Sequence, residues 1–276
     1  MRVQTSLGTP PAGMTAVLSG PFWSIDQLPT PFRSIVTSRV AGTSSGSYSS
    51  LNMALHVGDD PRRVRENRRL VFTSHKINSE EAVVAQQVHG ANVALVDQDY
   101  AGCGCISHAD AIPGVDALVT RTRHLPLMCF SADCLLLALA DKEAGVLGLL
   151  HAGWRGMADG VIQNTIAAMV EAGARAERLI VASSPSIGPC CFEVGADVTS
   201  KLGVQHVVRE RDGKFHYDLR AAARERLSGC GVAEAQIRID STCTCCREES
   251  FFSHRRAIRA GEKQTGRMAM IVWMEG

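Results

Sequence analysis

The sequence predicts an α+β fold, or an α/β fold with mixed sheets, in a single domain. Three observations predict it. Short apolar and β-branched runs outnumber the segments with helical periodicity. They do not alternate one for one with helices, as a doubly wound parallel sheet would require. Across 276 residues, no internal repeat or shift of composition marks a second domain.

The elements follow in order. Residues 1–31 read as a flexible tail, because Gly8-Thr9-Pro10-Pro11, Gly20-Pro21 and Pro29-Thr30-Pro31 interrupt every periodic pattern. The domain is expected over 32–276. Arg39 to Ser50 is a Gly/Ser-rich loop. A helix should start after Asp60, with Asp60 as N-cap, Pro61 in the first turn and Val64, Val71 and Phe72 facing inward. Its arginines Arg62, Arg63, Arg65, Arg68 and Arg69 read as a solvated face. Val83 to Val88 and Val93 to Val96 read as strands, and Asp97 to Gly114 as a long loop. Leu125 to Phe130, Leu135 to Ala140 and Val146 to Leu150 are apolar strands, the last two forming a hairpin. A helix carrying Ile162, Thr165, Ile166 and Met169 on one face should stop at Gly173. Leu179 to Ala182 is a strand, Asp218 caps a helix that ends near Gly229, and Met268 to Trp273 closes the fold as a strand.

Hydrophobic residues make up 45% and charged residues 21%, which excludes collagen, coiled coil and general disorder. Lys plus Arg is 29 against 28 for Asp plus Glu, so charge suggests neither a nucleic-acid nor an anionic-membrane partner. No run approaches the ~18 apolar residues of a membrane span, and the first residues lack a signal-peptide pattern. The ten cysteines are then expected to be reduced thiols of a cytoplasmic protein. Nothing in the sequence sets an oligomeric state.

The hairpin carries the metal argument. With the turn centred between Lys142 and Glu143, Cys134 and His151 fall opposite each other, where Cβ atoms are ~4.5–5.5 Å apart. A register slip of one residue would put them on opposite faces. His89, in Gln86-Gln87-Val88-His89-Gly90, is the third candidate. Two histidines and a cysteine with one open position suit catalytic zinc, and copper is the second choice. On spacing alone, the plainer reading is a small core cysteine with ordinary polar histidines. Cys103, Cys105 and His108 have weaker, metal-like spacing. The adjacent pairs Cys190-Cys191 and Cys245-Cys246 are expected to point in different directions and to be core or inert thiols.

A series of motifs then occurs in order: Ser50-Leu51-Asn52, His56-Val57-Gly58-Asp59-Asp60-Pro61, Gln87-Val88-His89-Gly90, Asp116-Ala117-Leu118-Val119-Thr120, Ala132-Asp133-Cys134, His151-Ala152-Gly153-Trp154-Arg155-Gly156, Ile187 to Gly195, Phe251 to Arg256, and Thr265-Gly266-Arg267. On these the chain resembles the YfiH-like, laccase-domain family, whose members carry the names polyphenol oxidase, peptidoglycan editing factor and purine nucleoside phosphorylase. The resemblance runs from about Ser38 to Trp273. It implies a layered α/β sandwich with mixed sheets, and metal ligands at His89, Cys134 and His151. It also implies zinc-dependent phosphorolysis of purine nucleosides (adenosine, inosine, guanosine and methylthioadenosine) together with adenosine deamination. The alternatives are a zinc-dependent hydrolase editing peptidoglycan precursors, a copper polyphenol oxidase, and a non-enzymatic protein with structural zinc. The sequence departs from the family pattern at Ala41-Gly42-Thr43-Ser44, in the Cys103–His108 insertion, in Cys243-Thr244-Cys245-Cys246 and after Arg256.

Four further residues are candidates. Asp133, beside Cys134, would accept a proton from water or orient a ligand ring; the plainer reading is a strand-end turn residue. Arg155, in a Gly-flanked loop opening a helix, would bind phosphate or substrate; the plainer reading is a surface arginine stacked on Trp154. Asn52 would read ribose or base, or else simply bond its own turn. Arg255 would bind a second anionic group, or else serve a structural ion pair.

Overall fold

The computed structural model describes residues 17–19, 22–24, 28–78 and 80–276. Its strands are β1 (Val17–Ser19), β2 (Phe22–Ser24), β3 (Phe32–Thr37), β4 (Val83–Val84), β5 (Val93–Val96), β6 (Ala117–Thr120), β7 (Leu127–Ser131), β8 (Leu135–Asp141), β9 (Val146–Ala152), β10 (Ile180–Ser183), β11 (Glu193–Val194), β12 (Val207–Arg211), β13 (Lys214–Tyr217), β14 (Ile237–Arg238) and β15 (Met268–Met274). The helices are α1 (Pro61–Ser74), α2 (Trp154–Asp159), α3 (Val161–Glu171), α4 (Ala196–Leu202), α5 (Leu219–Gly229) and α6 (His254–Arg259). The first sheet has the order β1-β2-β3-β15-β7-β4, the second β14-β10-β8-β9-β6-β5, and a small third one β11-β13-β12. Both large sheets are mixed, since β4 runs parallel to β7, β5 to β6 and β14 to β10. The expected mixed-sheet α/β sandwich is therefore the observed fold.

Strand alternation sets the layers. In β8, Leu136, Ala138 and Ala140 face the first sheet, meeting Met270 and Val272 of β15 and Leu127 and Cys129 of β7 in one buried cluster. Leu135, Leu137 and Leu139 face the other way, onto Ile162, Ile166 and Met169 of α3 and Leu227 of α5. In β15 the intervening residues Ala269, Ile271 and Trp273 pack with Val71 and Phe72 of α1. Two sheets thus lie face to face with helices outside each. Continuous apolar runs such as Leu135–Ala140 are explained by burial on both faces.

The helix starts are as expected. The Asp60 side chain accepts from the Arg62 N–H with Pro61 beginning α1, and Asp218 accepts from the Arg220 and Ala221 N–H groups at α5. Four expectations change. The presumed tail contributes β1 and β2, with Phe22 opposite Thr37 and Trp23 opposite Val36; the remainder of 1–27 lies outside the described residues. The strand expected over Val83–Val88 is only two residues long, because from Ala85 onward the backbone pairs with Ile112 instead of β7. Arg68 is not on a solvated face: it is buried, and donates to the carbonyls of Met53, Gly104 and Cys105. Finally, the β8–β9 turn holds four residues, tied by the Glu143 and Ala144 N–H groups to Asp141 Oδ1, so His151 pairs with Leu136. Cys134 is displaced from His151 by two positions, not directly opposed. A slip of two preserves the face, so both side chains still point the same way.

Candidate functional site

His151 is the penultimate residue of β9 and Cys134 immediately precedes β8, both on the face turned toward the first sheet. His89 comes from the loop after β4, where its backbone adopts a left-handed conformation, φ 62°. One donor atom from each of the three lies within 4.8 Å of the others. The two imidazole rings are nearly perpendicular, with centroids 4.8 Å apart. His151 is buried, Cys134 half-buried and His89 exposed, so the set opens on one side.

Asp116, just ahead of β6, fixes this arrangement. Its Oδ1 accepts from the His89 N–H at 3.0 Å and lies 2.8 Å from His151 Nδ1; its Oδ2 accepts from the Val88 and Gly90 N–H groups at 3.1 and 2.7 Å. One buried carboxylate therefore holds both the His89 loop and the His151 ring, leaving His151 Nε2 for another partner. Burial opposes the charge on Asp116, but His151 and the N–H groups outweigh it and lower its pKa. Burial likewise raises the Cys134 thiol, yet the two histidines outweigh it and bring its pKa down to about 6. Burial lowers His151, while Cys134 and Asp116 outweigh that and raise it to about 9. The group therefore favours a thiolate.

The donor set fits a metal ion. Thiolate and imidazole are zinc's usual ligands, and room is kept for one at Gly153. A Cβ there would lie 3.1 Å from His89 Cδ2, 3.2 Å from Cys134 Sγ and 3.5 Å from His151 Cε1. The cleft in front of the three, about 340 Å³, is also lined by His56, Gln87, Phe130, Ser131, His254 and Arg267. Gln87 pairs with the Phe130 backbone through both ends of its amide, at 2.8 and 2.7 Å, which anchors that wall. Burial lowers the pKa values of His56, to about 4, and of His254, and it does the same for Arg267.

The other sequence candidates stand elsewhere. Asp133 is buried, with φ 104°; its carboxylate accepts from Thr244 Oγ1, Ser253 Oγ and the Arg255 N–H. The carboxylate against the His151 ring is that of Asp116, not that of Asp133. Asn52 is fully buried, bonded to Ala54, Asp59 and the Arg267 N–H, so it secures the backbone leading into β15 instead of facing the cleft. Arg155 lies exposed over the Trp154 ring, 4.3 Å from its centroid, and does not line the cleft. Arg255 donates to the Cys191 carbonyl and packs over Phe192. His56, Gln87, Asp116, His254 and Arg267 are functional candidates that sequence reasoning left without a role, although all five lie inside the motifs quoted for the resemblance.

The reading of the first cysteine pair is also corrected: Cys190 and Cys191 point to one place, where they meet Cys243 and Cys246, each sulfur within 4.8 Å of the others, while Cys245 is not part of the group. The N–H groups of Cys191 and Phe192 both bond to the Gly188 carbonyl, and this tight turn bends adjacent side chains toward one point. Cys103, Cys105 and His108 form no such group among the described residues.

Comparison with known proteins agrees with this fold. A family model described as "Multi-copper polyphenol oxidoreductase laccase" matches residues 33–275. The chain is 36% identical over 228 residues to "Adenosine deaminase RL5" of an unknown prokaryotic organism, covering 80% of this chain and 87% of that protein. It is 36% identical over 245 residues to "Purine nucleoside phosphorylase YlmD" of Geobacillus stearothermophilus, covering 86% and 88%. The crystal structure of YlmD from Geobacillus stearothermophilus superposes with a TM-score of 0.87 at 33% identity, covering 94% of this chain and 97% of that one. The Bacillus licheniformis hypothetical protein YfiH gives 0.89 at 27%, covering 94% and 98%.

Proposed function

This chain belongs to the multi-copper polyphenol oxidoreductase laccase family, and on that premise we propose that it is a zinc-dependent purine nucleoside phosphorylase with adenosine deaminase activity. The observation that carries the reading is the convergence of His89, Cys134 and His151 on one side of an open cleft. Relatives named purine nucleoside phosphorylase and adenosine deaminase support the substrate class. A cleft of about 340 Å³ is of the size that takes a small ligand.

When bound by the three residues, zinc supplies Lewis acidity and an activated water near neutral pH. The chain's own groups do the rest. Asp116 holds His151 and the His89 loop in place. Displacement of the 6-amino group of adenosine by water gives inosine and ammonia; attack of phosphate on the ribose carbon that bears the base gives free base and ribose 1-phosphate. His56 and His254 line the same cleft and are kept neutral by burial at pH 7, so each would take a proton from the attacking water or phosphate and then hand it to the departing amine or base. We assign the phosphate contact to Arg267, which lines the cleft, in preference to Arg155 and Arg255. The reaction needs only small-molecule partners, with neither nucleic acid nor membrane, and suits a cytoplasmic setting. Among the described residues no helix is long and apolar enough to cross a membrane.

The family's description favours a second reading, copper-dependent oxidation of phenols. Four-electron reduction of oxygen calls for several coppers, and the described residues gather one His/Cys triad and one all-cysteine group. Product analysis separates the readings. Protein loaded with zinc should form inosine and ammonia from adenosine alone, and free base with ribose 1-phosphate once phosphate is added. Arg267→Lys should raise the phosphate requirement more than it slows deamination. If no purine nucleoside reacts and a peptidoglycan precursor is hydrolysed, the editing hydrolase replaces this assignment; copper-dependent oxygen uptake with a phenol would establish the oxidase.

A further inference from the structure

The four converging cysteines lie outside the cleft, and the reaction above makes no use of them. Cys190 and Cys191 sit in the turn after β10; Cys243 and Cys246 form a Cys-x-x-Cys in the loop between β14 and α6. These loops are already joined. Ser186 and Cys243 form a parallel bridge, the Thr244 N–H bonds to the Ser186 carbonyl, and Arg220 donates to the carbonyls of Ser186, Ser241 and Thr242. Gly188 permits the approach: a Cβ there would lie 3.3 Å from both Cys190 Sγ and Cys243 Cβ.

We propose that Cys190, Cys191, Cys243 and Cys246 form a second metal site, a tetrathiolate that holds zinc and clips the two loops together. The sulfur spacing carries it. Cys246 Sγ is 3.6 Å from Cys190 Sγ and 3.4 Å from Cys191 Sγ, with every pair within 4.8 Å. A tetrahedral ion with Zn–S bonds of about 2.3 Å sets its sulfurs about 3.8 Å apart, so the four need only small adjustments to close on an ion. A disulfide would instead draw one pair to about 2.05 Å and leave the other two sulfurs without a role. The Gly188 N–H donates to Cys243 Sγ at 3.2 Å, a bond that favours thiolate. The Arg220 guanidinium, packed against the same two loops, offsets the charge that four thiolates around a divalent ion would leave. Cys190 and Cys246 are exposed, which gives the ion an entry path, while Cys191 is buried and anchors the group. Four sulfurs leave no open position, so the site is structural in kind, in contrast to the three-ligand centre. Each thiol gives up its proton to solvent as the ion binds.

The clip bears on the cleft wall. The Ile187 N–H bonds to the Asp133 carbonyl, Thr244 Oγ1 donates to the Asp133 carboxylate, and Arg255 donates to the Cys191 carbonyl. The test is elemental analysis of the full chain, purified under reducing conditions and equilibrated with zinc, beside the Cys190→Ser/Cys246→Ser double variant. Two zinc ions per chain are expected in the wild type and one in the variant. Alkylation of wild-type protein, read by mass spectrometry at Cys190 and Cys246, needs no variant to fold. Zinc at ten times its dissociation constant should slow it by roughly tenfold. One zinc per chain in both proteins, or alkylation at the same rate with and without zinc, overturns the proposal.

Discussion

Asp116→Asn is the most informative single change, because one carboxylate holds the His151 ring and the backbone that carries His89. Its four contacts are all to donors: the N–H groups of Val88, His89 and Gly90, and the His151 ring nitrogen. An amide in its place must turn its NH₂ toward two of them. If the oxygen stays with His89 and His151, the NH₂ faces the Val88 and Gly90 N–H groups; turned over, it faces His89 and His151. Two charge-assisted bonds are lost either way, each worth ~1.5–3 kcal/mol, so the metal-free protein should lose about 3–6 kcal/mol in urea unfolding. The ligands lose their support as well, which typically weakens metal binding by roughly 10- to 100-fold. Competition against a chelator of known affinity reads that directly. Zinc affinity within about twofold of wild type, a difference of only ~0.4 kcal/mol, would show that Asp116 does not organise the ligand set and would refute the argument.

How far the sequence was legible depended on how local each signal is. The Cys134–His151 relation survived an error in turn length because a strand repeats every two residues; an error of one residue would have hidden it. Asp116 escaped notice because its partners lie 26 to 35 residues away, and only the folded His89 loop brings three N–H groups to it. Arg68 sits in an arginine-rich helix, and composition alone cannot tell a guanidinium that feeds buried carbonyls from its solvated neighbours. The strands β1 and β2 are three residues each, so they owe their form to pairing with β3 and not to their own propensity. The cysteine group needs the turn at Gly188 together with a loop more than fifty positions further on; its one local sign is the Cys-x-x-Cys spacing of Cys243 and Cys246, which supplies two of the four sulfurs. Helix caps, by contrast, are set within three residues, and Asp60 and Asp218 were readable as they stand.

Two further outcomes follow from buried charge. Arg68→Met should destabilise the protein by about 3 kcal/mol or more in urea unfolding, since it leaves the carbonyls of Met53, Gly104 and Cys105 without their donor; a loss under about 1 kcal/mol would mean other donors replace it. The last concerns pH. His56 packs its ring 5.0 Å from His108 and 5.9 Å from Phe130, and burial, with His108, Arg267 and Arg68 adding to it, pulls its pKa down to about 4. In the unfolded chain the same ring titrates near 6.5. As the pH falls the unfolded state therefore takes up the proton first. The contribution of His56 is fully present above about pH 6.5 and is lost as the pH falls toward about 4. His75, His108 and His254, also lowered by burial, act with the same sign. His151, raised to about 9, acts with the opposite one: its contribution is present below about pH 6.5 and lost as the pH rises through about 9. The urea midpoint of the metal-free protein should accordingly fall between pH 7 and pH 4.5, values chosen to bracket roughly the His56 transition. His56→Gln, which cannot titrate, should fall less steeply over that interval. Equal slopes in the two proteins would show that His56 is protonated as readily in the folded state as in the unfolded one, and that the cleft does not hold it neutral.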